Sequence, residues 1–513
     1  MNQLIKRAVS LSIGLFMFTA CTPSESSHEP LPPPSVLPDE NGAVSVYPFA
    51  PGMDRFNDMS VTLRDESGKT YGVELYSAVT NPKRQYPAVE EYFKNAAVAM
   101  FDMSGTVSVE VTYPAGVDSA VVRPAGAGIE HTVEGDTVIF NITQWGQYTV
   151  EFNGDPETDA LMIFANPPSA IPENAKVITG RHDGDLTVEE NQTVYLAPGS
   201  IVFGQVIMSD DSKLTGRGII AKSGPPAIRV WNSRNVTLEG VAVLDPNRWV
   251  VELQNSAGVT VENIKVISAR NNGDGITIQS SSDVTINNSF VRSWDDNIVL
   301  KNYTANNCFN ITVANCVLWT DLAQSIEIGF ETNKGSPGGQ TPSPNADPQI
   351  YNVTFENIDV IHNFHKAPIS IHNADGCRIH NITFKNIIVE NAQMGVPGKF
   401  KEGGGWKYLI DIGNGNSVSI DGAPEWTHND GDREISDVLI ENVWVLGGER
   451  SSCGARFINK DSGGFLSVMK NIELKNIYFR QEPVDFSEQI AAAKASDGVT
   501  QTNAPYFHWA KRP

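Results

Sequence analysis

The chain of 513 residues carries 60 acidic against 38 basic side chains, a formal charge of −22. That balance excludes a sequence-independent nucleic-acid binder, which needs a basic face to neutralise phosphate, and it suits solubility outside the cell. Forty per cent hydrophobic content is ample for a core, and 43 Gly with abundant Asn, Val, Ile and Thr favour turns and strands, so an all-β protein is expected.

Residues 1–21 join Lys6 and Arg7 to an apolar run ending Phe18-Thr-Ala-Cys21. The run is too short to span a membrane as a helix and predicts an export signal. Its ending resembles a bacterial lipoprotein signal. That resemblance implies lipidation of Cys21 and a protein tethered by lipid alone to a bacterial membrane, the outer one by preference, in the periplasm or at the cell surface. Residues 22–42 are rich in Pro and Ser without periodicity and read as a spacer.

Residues 43–168 hold short alternating segments: Ser60-Val-Thr-Leu, Val107-Ser-Val-Glu-Val, Thr137-Val-Ile-Phe and Gln147-Tyr-Thr-Val-Glu-Phe. Turn signals at Asp65-Glu-Ser-Gly, Glu134-Gly-Asp and Asn153-Gly-Asp separate them, the spacing of a small antiparallel β-sandwich. A rigid cap or spacer is its expected role, since no aromatic cluster argues for carbohydrate binding.

From 169 to 485 the pattern becomes a repeat. Its units are Asn235-Val-Thr-Leu-Glu-Gly, Gly258-Val-Thr-Val-Glu-Asn, Asp283-Val-Thr-Ile-Asn-Asn, Asn310-Ile-Thr-Val-Ala-Asn, Asn352-Val-Thr-Phe-Glu-Asn, Asn381-Ile-Thr-Phe-Lys-Asn, Asp437-Val-Leu-Ile-Glu-Asn and Asn471-Ile-Glu-Leu-Lys-Asn. Where no insertion intervenes the starts lie about 25 residues apart, and each strand ends in a polar corner where Asn can ladder with its neighbours, which predicts a right-handed parallel β-helix. Longer intervals must contain loops on the binding face, chiefly 332–348 and 391–432, the latter with Trp406 and Trp426. Cys308, Cys316, Cys377 and Cys453 lie in no metal-binding pattern and are read as buried free thiols, although Cys308 and Cys316 lie close enough in sequence to pair. Residues 486–513 are read as a cap and tail, opening with a short helix.

Each coil carries a second strand of form x-x-Ile-x-Ile, and these segments stack: Pro226-Ala-Ile-Arg-Val, Trp249-Val-Val-Glu-Leu, Asp274-Gly-Ile-Thr-Ile, Asp296-Asn-Ile-Val-Leu, Gln324-Ser-Ile-Glu-Ile, Ala367-Pro-Ile-Ser-Ile and Tyr408-Leu-Ile-Asp-Ile. If the paired apolar positions face inward, the residues between them form an outer row: Arg229, Glu252, Thr277, Val299, Glu327, Ser370 and Asp411. Asp274 and Asp296 then sit one rung apart, with Asp295 beside them and Glu327 a rung further. Like charges so close cannot all ionise freely, so at least one carboxyl should hold its proton, as a general acid must. Taken singly, each Asp also suits an Asx turn at a coil corner.

Residues 171–480 resemble the clan of β-helical glycoside hydrolases that contains polygalacturonases and the dextranase/isopullulanase enzymes. Asn271-Asn-Gly-Asp274-Gly is similar to the clan's Asn-Thr-Asp-Gly motif, and Trp294-Asp295-Asp296-Asn-Ile-Val-Leu-Lys301 to its paired-Asp motif. The resemblance implies inversion, with Asp295 protonating the leaving oxygen while Asp274 and Asp296 activate water. No cofactor or metal is implied. Polygalacturonases carry Gly-His-Gly where this chain has Ala323-Gln324-Ser325, and an Arg-Ile-Lys that pairs with the uronate carboxylate where it has Ser370-Ile371-His372. A pocket for an anionic sugar would leave that carboxylate unpaired. The N-terminal sandwich and Trp319 resemble the dextranase side instead.

The expectation is an endo-acting hydrolase of an α-linked neutral polysaccharide, with Trp249, Trp294 and Trp406 as aromatic platforms and Lys301, Gln324 and Glu327 as further substrate contacts. A polygalacturonase-type hydrolase, a β-helix polysaccharide lyase or uronan epimerase, and a non-catalytic glycan-binding protein are the alternatives.

Overall fold

The computed structural model describes residues 43–83, 87–156, 160–333, 347–393, 408–416, 431–461, 464–495 and 497–510. The export signal with Cys21, the 22–42 spacer, Trp406 and Trp426 lie outside the described residues.

The segments read as alternating do form strands, Ser60–Asp65, Val107–Thr112, Thr137–Ile142 and Gly146–Phe152. They belong to two sheets, one of five strands and one of six, closed over a core that includes Leu63, Phe101, Val109, Phe140 and Phe152. One pairing departs from the antiparallel expectation: Ala160–Asn166 runs parallel to Lys94–Met103. Both of these strands are buried along nearly their whole length. The cause is a second apolar layer, in which Val98, Met100, Met162 and Phe164 on the outer side of the six-stranded sheet pack against Ile219, Leu244, Phe290 and Trp319 of the following repeat. Strands buried on both faces lose the alternation that a half-buried strand shows.

From Lys176–Ile178 onward every coil adds parallel strands to a growing stack, and the whole is a right-handed parallel β-helix. In the earlier coils two strands enter a 20-stranded sheet and the third enters a 10-stranded sheet, whereas from Gln349–Asn363 onward one long strand per coil replaces the two. Between them runs one column of Val, Ile, Leu, Phe and Cys, for example Ile276, Ile298, Ile326 and Ile369 stacked rung on rung. Each fully buried branched side chain in such a column stabilises by about 1.5–3 kcal/mol. All four described cysteines are buried thiols of the β-helix core, and Cys308 and Cys316 are not paired with each other.

The corner residues of the repeat explain its spelling. Asn310, Asn352 and Asn381 begin the unit and Asn315, Asn357 and Asn386 end it, all with φ of 54–56°, a left-handed conformation that Asn tolerates better than most residues. Their amides then ladder: Asn352 donates to Asn310 at 3.1 Å and Asn381 to Asn352 at 3.3 Å. On the second edge Asn357 donates to Asn315 at 3.3 Å and Asn386 to Asn357 at 3.1 Å. After the last long strand, Ser467–Phe479, a short helix at Ser487–Ala492 follows, and Phe486, Ile490 and Ala495 join the interior column.

Candidate active site

The 10-stranded sheet has the register its sequence predicts. Arg229, Glu252, Thr277, Val299, Glu327, Ser370 and Asp411 are successive Cα partners, and Arg456 follows Asp411. Just before these strands, the pairing of Ile276 with Ile298 and of Ile298 with Ile326 places Asp274, Asp296 and Gln324 on consecutive rungs, about 4.8 Å apart. Trp249 occupies the rung before Asp274 and is half-buried. Backbone bonds lock the corner, since Gly275 N–H donates to the Asp296 carbonyl at 2.8 Å and Asn297 N–H to the Gln324 carbonyl at 2.9 Å. Gly275 is required there: a Cβ would lie 2.2 Å from Val291 Cγ1 and 2.6 Å from the Asn297 carbonyl.

Asp274 is buried and Asp295 and Asp296 are half-buried. Asp295 accepts the Asp296 N–H at 3.2 Å, and Ser293 Oγ donates to the Asp295 carbonyl at 2.6 Å. Asp296 Oδ1 accepts the Gln324 N–H at 3.2 Å. Asn297, donating to Ser293 Oγ at 2.6 Å and to the Trp319 carbonyl at 2.8 Å, holds the Asp-Asp corner from behind. All three carboxyls are pushed towards their protonated forms, chiefly by burial. For Asp274 the shift reaches about 7, the nearby Lys301 cation opposing it and Asp295 adding to it. Asp295 is raised with Lys366 and Lys301 in opposition. Asp296 is raised well above the usual carboxylate range, burial being reinforced by both Asp295 and Asp274. The cluster is therefore built to retain a proton near neutral pH.

Lys301 does not extend freely into the cleft as its spacing suggests. Its Nζ lies 3.4 Å from Asp274 Oδ2 and 3.3 Å from Glu331 Oε2, so one buried cation is committed to two carboxylates. Glu327 is likewise buried and engaged, its two oxygens 2.9 and 3.0 Å from His372 Nδ1. His372 Nε2 lies 3.2 Å from Asp411 Oδ2, and Arg456 meets Asp411 with contacts of 2.8 and 2.6 Å. Burial opposes protonation of His372, but the carboxylates of Glu327 and Asp411 on either side outweigh it and lift the imidazole to about 9. Burial also acts against ionised Asp411, and His372 and Arg456 more than compensate, lowering its pKa. The result is an alternating charge chain, Glu327, His372, Asp411, Arg456.

Trp294 requires a correction. It is fully buried, so it forms part of the coil wall and offers no ring face to a sugar. Gln324 is buried too and meets Asp296 through its backbone N–H. An aromatic overlooked in the sequence is Trp231, 37 % exposed, whose Nε1 donates to Glu252 at 3.0 Å while Arg229 lies over its ring at 4.9 Å. It is one position beyond the Ile228-Arg-Val unit, on the row that continues through Gln254 and Gln279 to Lys301. The roles of Glu331 and Arg456 were not legible either, because each acts on a partner from another coil. Among the described residues no group of three or more His, Cys, Asp or Glu is arranged to hold a metal ion.

Residues 204–397, which contain all of these carboxylates except Asp411, match the family described as glycosyl hydrolases family 28. A probable endopolygalacturonase D of Neosartorya fischeri is 27% identical over 220 residues, 40% of this chain and 42% of that protein. An endo-polygalacturonase of Pectobacterium carotovorum subsp. carotovorum is 23% identical over 216 residues, 40% of this chain and 49% of that one. The chain thus spans less than half the length of these curated relatives. Among solved structures, Dex49A from Penicillium minioluteum superposes with a TM-score of 0.53 at 13% identity, covering 90% of this chain and 99% of that one, a likeness of fold. Over residues 204–397 the chain is thus similar to glycosyl hydrolases family 28, and its fold is similar to that of the β-helical Dex49A.

Proposed function

We propose that the protein hydrolyses internal α-linkages of a neutral polysaccharide with inversion at the anomeric carbon. Asp295 gives its proton to the glycosidic oxygen as the bond from that oxygen to C1 breaks. Asp274 and Asp296 take a proton from the water whose oxygen forms the new bond to C1. Three carboxyls on adjacent rungs, with a shared tendency to keep a proton, support this division of labour. Asp295 suits the acid role because burial raises its pKa while two lysines lie near enough to ease the loss of its proton.

The choice of a neutral substrate rests on His372. It stands where a uronate-binding lysine is expected from the clan resemblance, and although it is cationic, Glu327 accepts from its Nδ1 and the Asp411 carboxylate faces its Nε2 at 3.2 Å, so its charge is already neutralised. Charge-assisted bonds to a buried carboxylate are worth about 1.5–3 kcal/mol each, so a polygalacturonate chain forgoes that stabilisation here. The second reading, a polygalacturonase-type hydrolase, is favoured by the curated relatives and by Lys301 and Lys366 beside the carboxyls. Measuring kcat/KM on polygalacturonate, dextran and pullulan at identical salt separates the two: a neutral glucan should lead by a factor on the order of 10²–10⁴, and a preference for polygalacturonate overturns the neutral reading. An unsaturated product absorbing in the ultraviolet would instead indicate a lyase.

We also infer lipid anchoring at Cys21. Exported Cys21→Ala protein should stay soluble after a carbonate wash, and its retention in the membrane pellet would refute the anchor.

A further inference from the structure

The outward side chains of the 10-stranded sheet form two rows. One runs Arg229, Glu252, Thr277, Val299 and Glu327, and the other runs Trp231, Gln254, Gln279 and Lys301, in register strand by strand. Both rows share a face, because residues two apart on a strand point the same way. Lys301 reaches Asp274 at 3.4 Å, so Trp231, three strands earlier on the same row, lies on the floor that leads to the carboxylates. Its strand is two rungs from the one that Asp274 opens and three from the one that Asp296 opens, roughly 10 and 14 Å along the stack. That is further than one sugar ring extends.

Among the described residues Trp231 is the one large apolar side chain of this sheet that stands exposed to solvent. A lone exposed aromatic is common on protein surfaces and signifies nothing by itself. This one is held in a fixed pose. Its Nε1 donates to Glu252 Oε2 at 3.0 Å, Gln279 Nε2 donates to Glu252 Oε1 at 2.8 Å, and the Arg229 guanidinium lies 4.9 Å from the ring centroid. Glu252 is buried, and burying a carboxylate is costly unless hydrogen bonds replace its water. Here one of those bonds fixes an indole that belongs to none of the apolar clusters of the interior. A rigid aromatic face loses little entropy on binding and packs on the C–H side of a sugar ring, while half-buried Arg229 and Gln254 beside it carry donors for ring hydroxyls.

We propose that Trp231 is the stacking platform of a remote subsite in the cleft, seating a sugar ring of the polysaccharide beyond the one whose bond is cut. The ligand class rests on reading the protein as a polysaccharide hydrolase. Affinity electrophoresis of the full chain tests it, in gels containing dextran, pullulan or polygalacturonate, with Asp295→Asn as the background so that nothing is cleaved. Adding Trp231→Ala should raise the apparent dissociation constant for the bound polymer about tenfold or more, the scale expected for a binding-site Trp. Adding Trp231→Phe instead should retain most of the affinity, because the phenyl ring keeps a stacking face although it cannot donate to Glu252. In the active enzyme the effect of Trp231→Ala should fall on KM for long chains and not on kcat, and it should shrink as the substrate is shortened to lengths that cannot reach the ring. Equal retardation with and without the indole on every polymer, none at all included, overturns the platform. So does a Trp231→Phe variant as impaired as Trp231→Ala, since the indole would then act only through Glu252. Retardation is read without turnover, so Trp231-dependent binding to polygalacturonate alone would refute the neutral-substrate reading and leave the platform standing.

Discussion

Two buried polar clusters in this molecule answer the loss of water around their carboxyls to different degrees. Where the sandwich meets the β-helix, Arg123 Nε lies 2.9 Å from Glu151 and its Nη1 lies 2.6 Å from Glu390. His362 Nε2 completes the group at 2.6 Å from Glu151, and Ala125 N–H donates to Glu390 at 2.6 Å. Burial works against ionised Glu151, yet His362 and Arg123 overcome it and lower its pKa. At the active site Asp274, Asp295 and Asp296 are also taken from water, but their one ion-paired lysine is divided between Asp274 and Glu331, and all three carboxyls shift upward. The guanidinium bridging Glu151 and Glu390, with His362 against Glu151, makes the first cluster a fastening between domains, although burial still raises the pKa of Glu390 and lowers that of His362. Surplus like charge makes the second a proton store, held at a cost to stability.

The largest effect expected from breaking this contrast is on turnover. Asp295→Asn should keep the circular dichroism of the wild type and lose a factor of about 10²–10⁴ in kcat, because the amide preserves size but has no proton to give. Activity above a tenth of wild type in a folded variant would show that Asp295 is not the acid. On the other side of the comparison, Arg123→Ala removes the cation from both Glu390, which keeps the Ala125 N–H, and Glu151, which keeps His362 and the Thr149 hydroxyl. Breaking a buried pair by removing one partner costs about 3–5 kcal/mol, to be read by urea denaturation. An unchanged midpoint would mean that the junction cluster does not fasten the two parts.

The smallest effect carries the opposite sign. Asp296 holds a raised pKa, so the stability it allows is complete below about pH 4, the ordinary carboxyl range, and is lost as pH rises through its folded value. Asp296→Asn removes that loss while still offering an oxygen to the Gln324 N–H. The variant should therefore gain stability over wild type as pH rises from 4 to 8, with the difference gone at pH 4. A variant less stable at pH 8 would contradict the idea that the carboxyl cluster is strained by its own charge.

Much of this architecture could be read directly because a solenoid is a local construction. Each coil repeats the same choice of branched apolar residues inward and Asn at the corners, so the outer row from Arg229 to Asp411 followed from spacing alone, as did the stacking of Asp274 below Asp296. Hydrogen bonding between identical rungs turns a one-dimensional pattern into a three-dimensional column without further information. Even the left-handed corners are spelled locally, since Asn is favoured there by its own backbone preference.

What spacing could not supply is which side chains meet across coils and between the two domains. Trp294 has the composition of a sugar platform and the position of a wall residue. Lys301 has the reach of a substrate cation and two carboxylates that hold it. His372 resembles a missing lysine until Glu327 and Asp411 close on it from adjacent rungs. In each case the sequence by itself determined the rung and the facing of the residue, because those depend on a periodicity of two and on a repeat length. Only the tertiary structure decided its charge state and its access to solvent, because both depend on groups distant in the chain that desolvate it or pair with it.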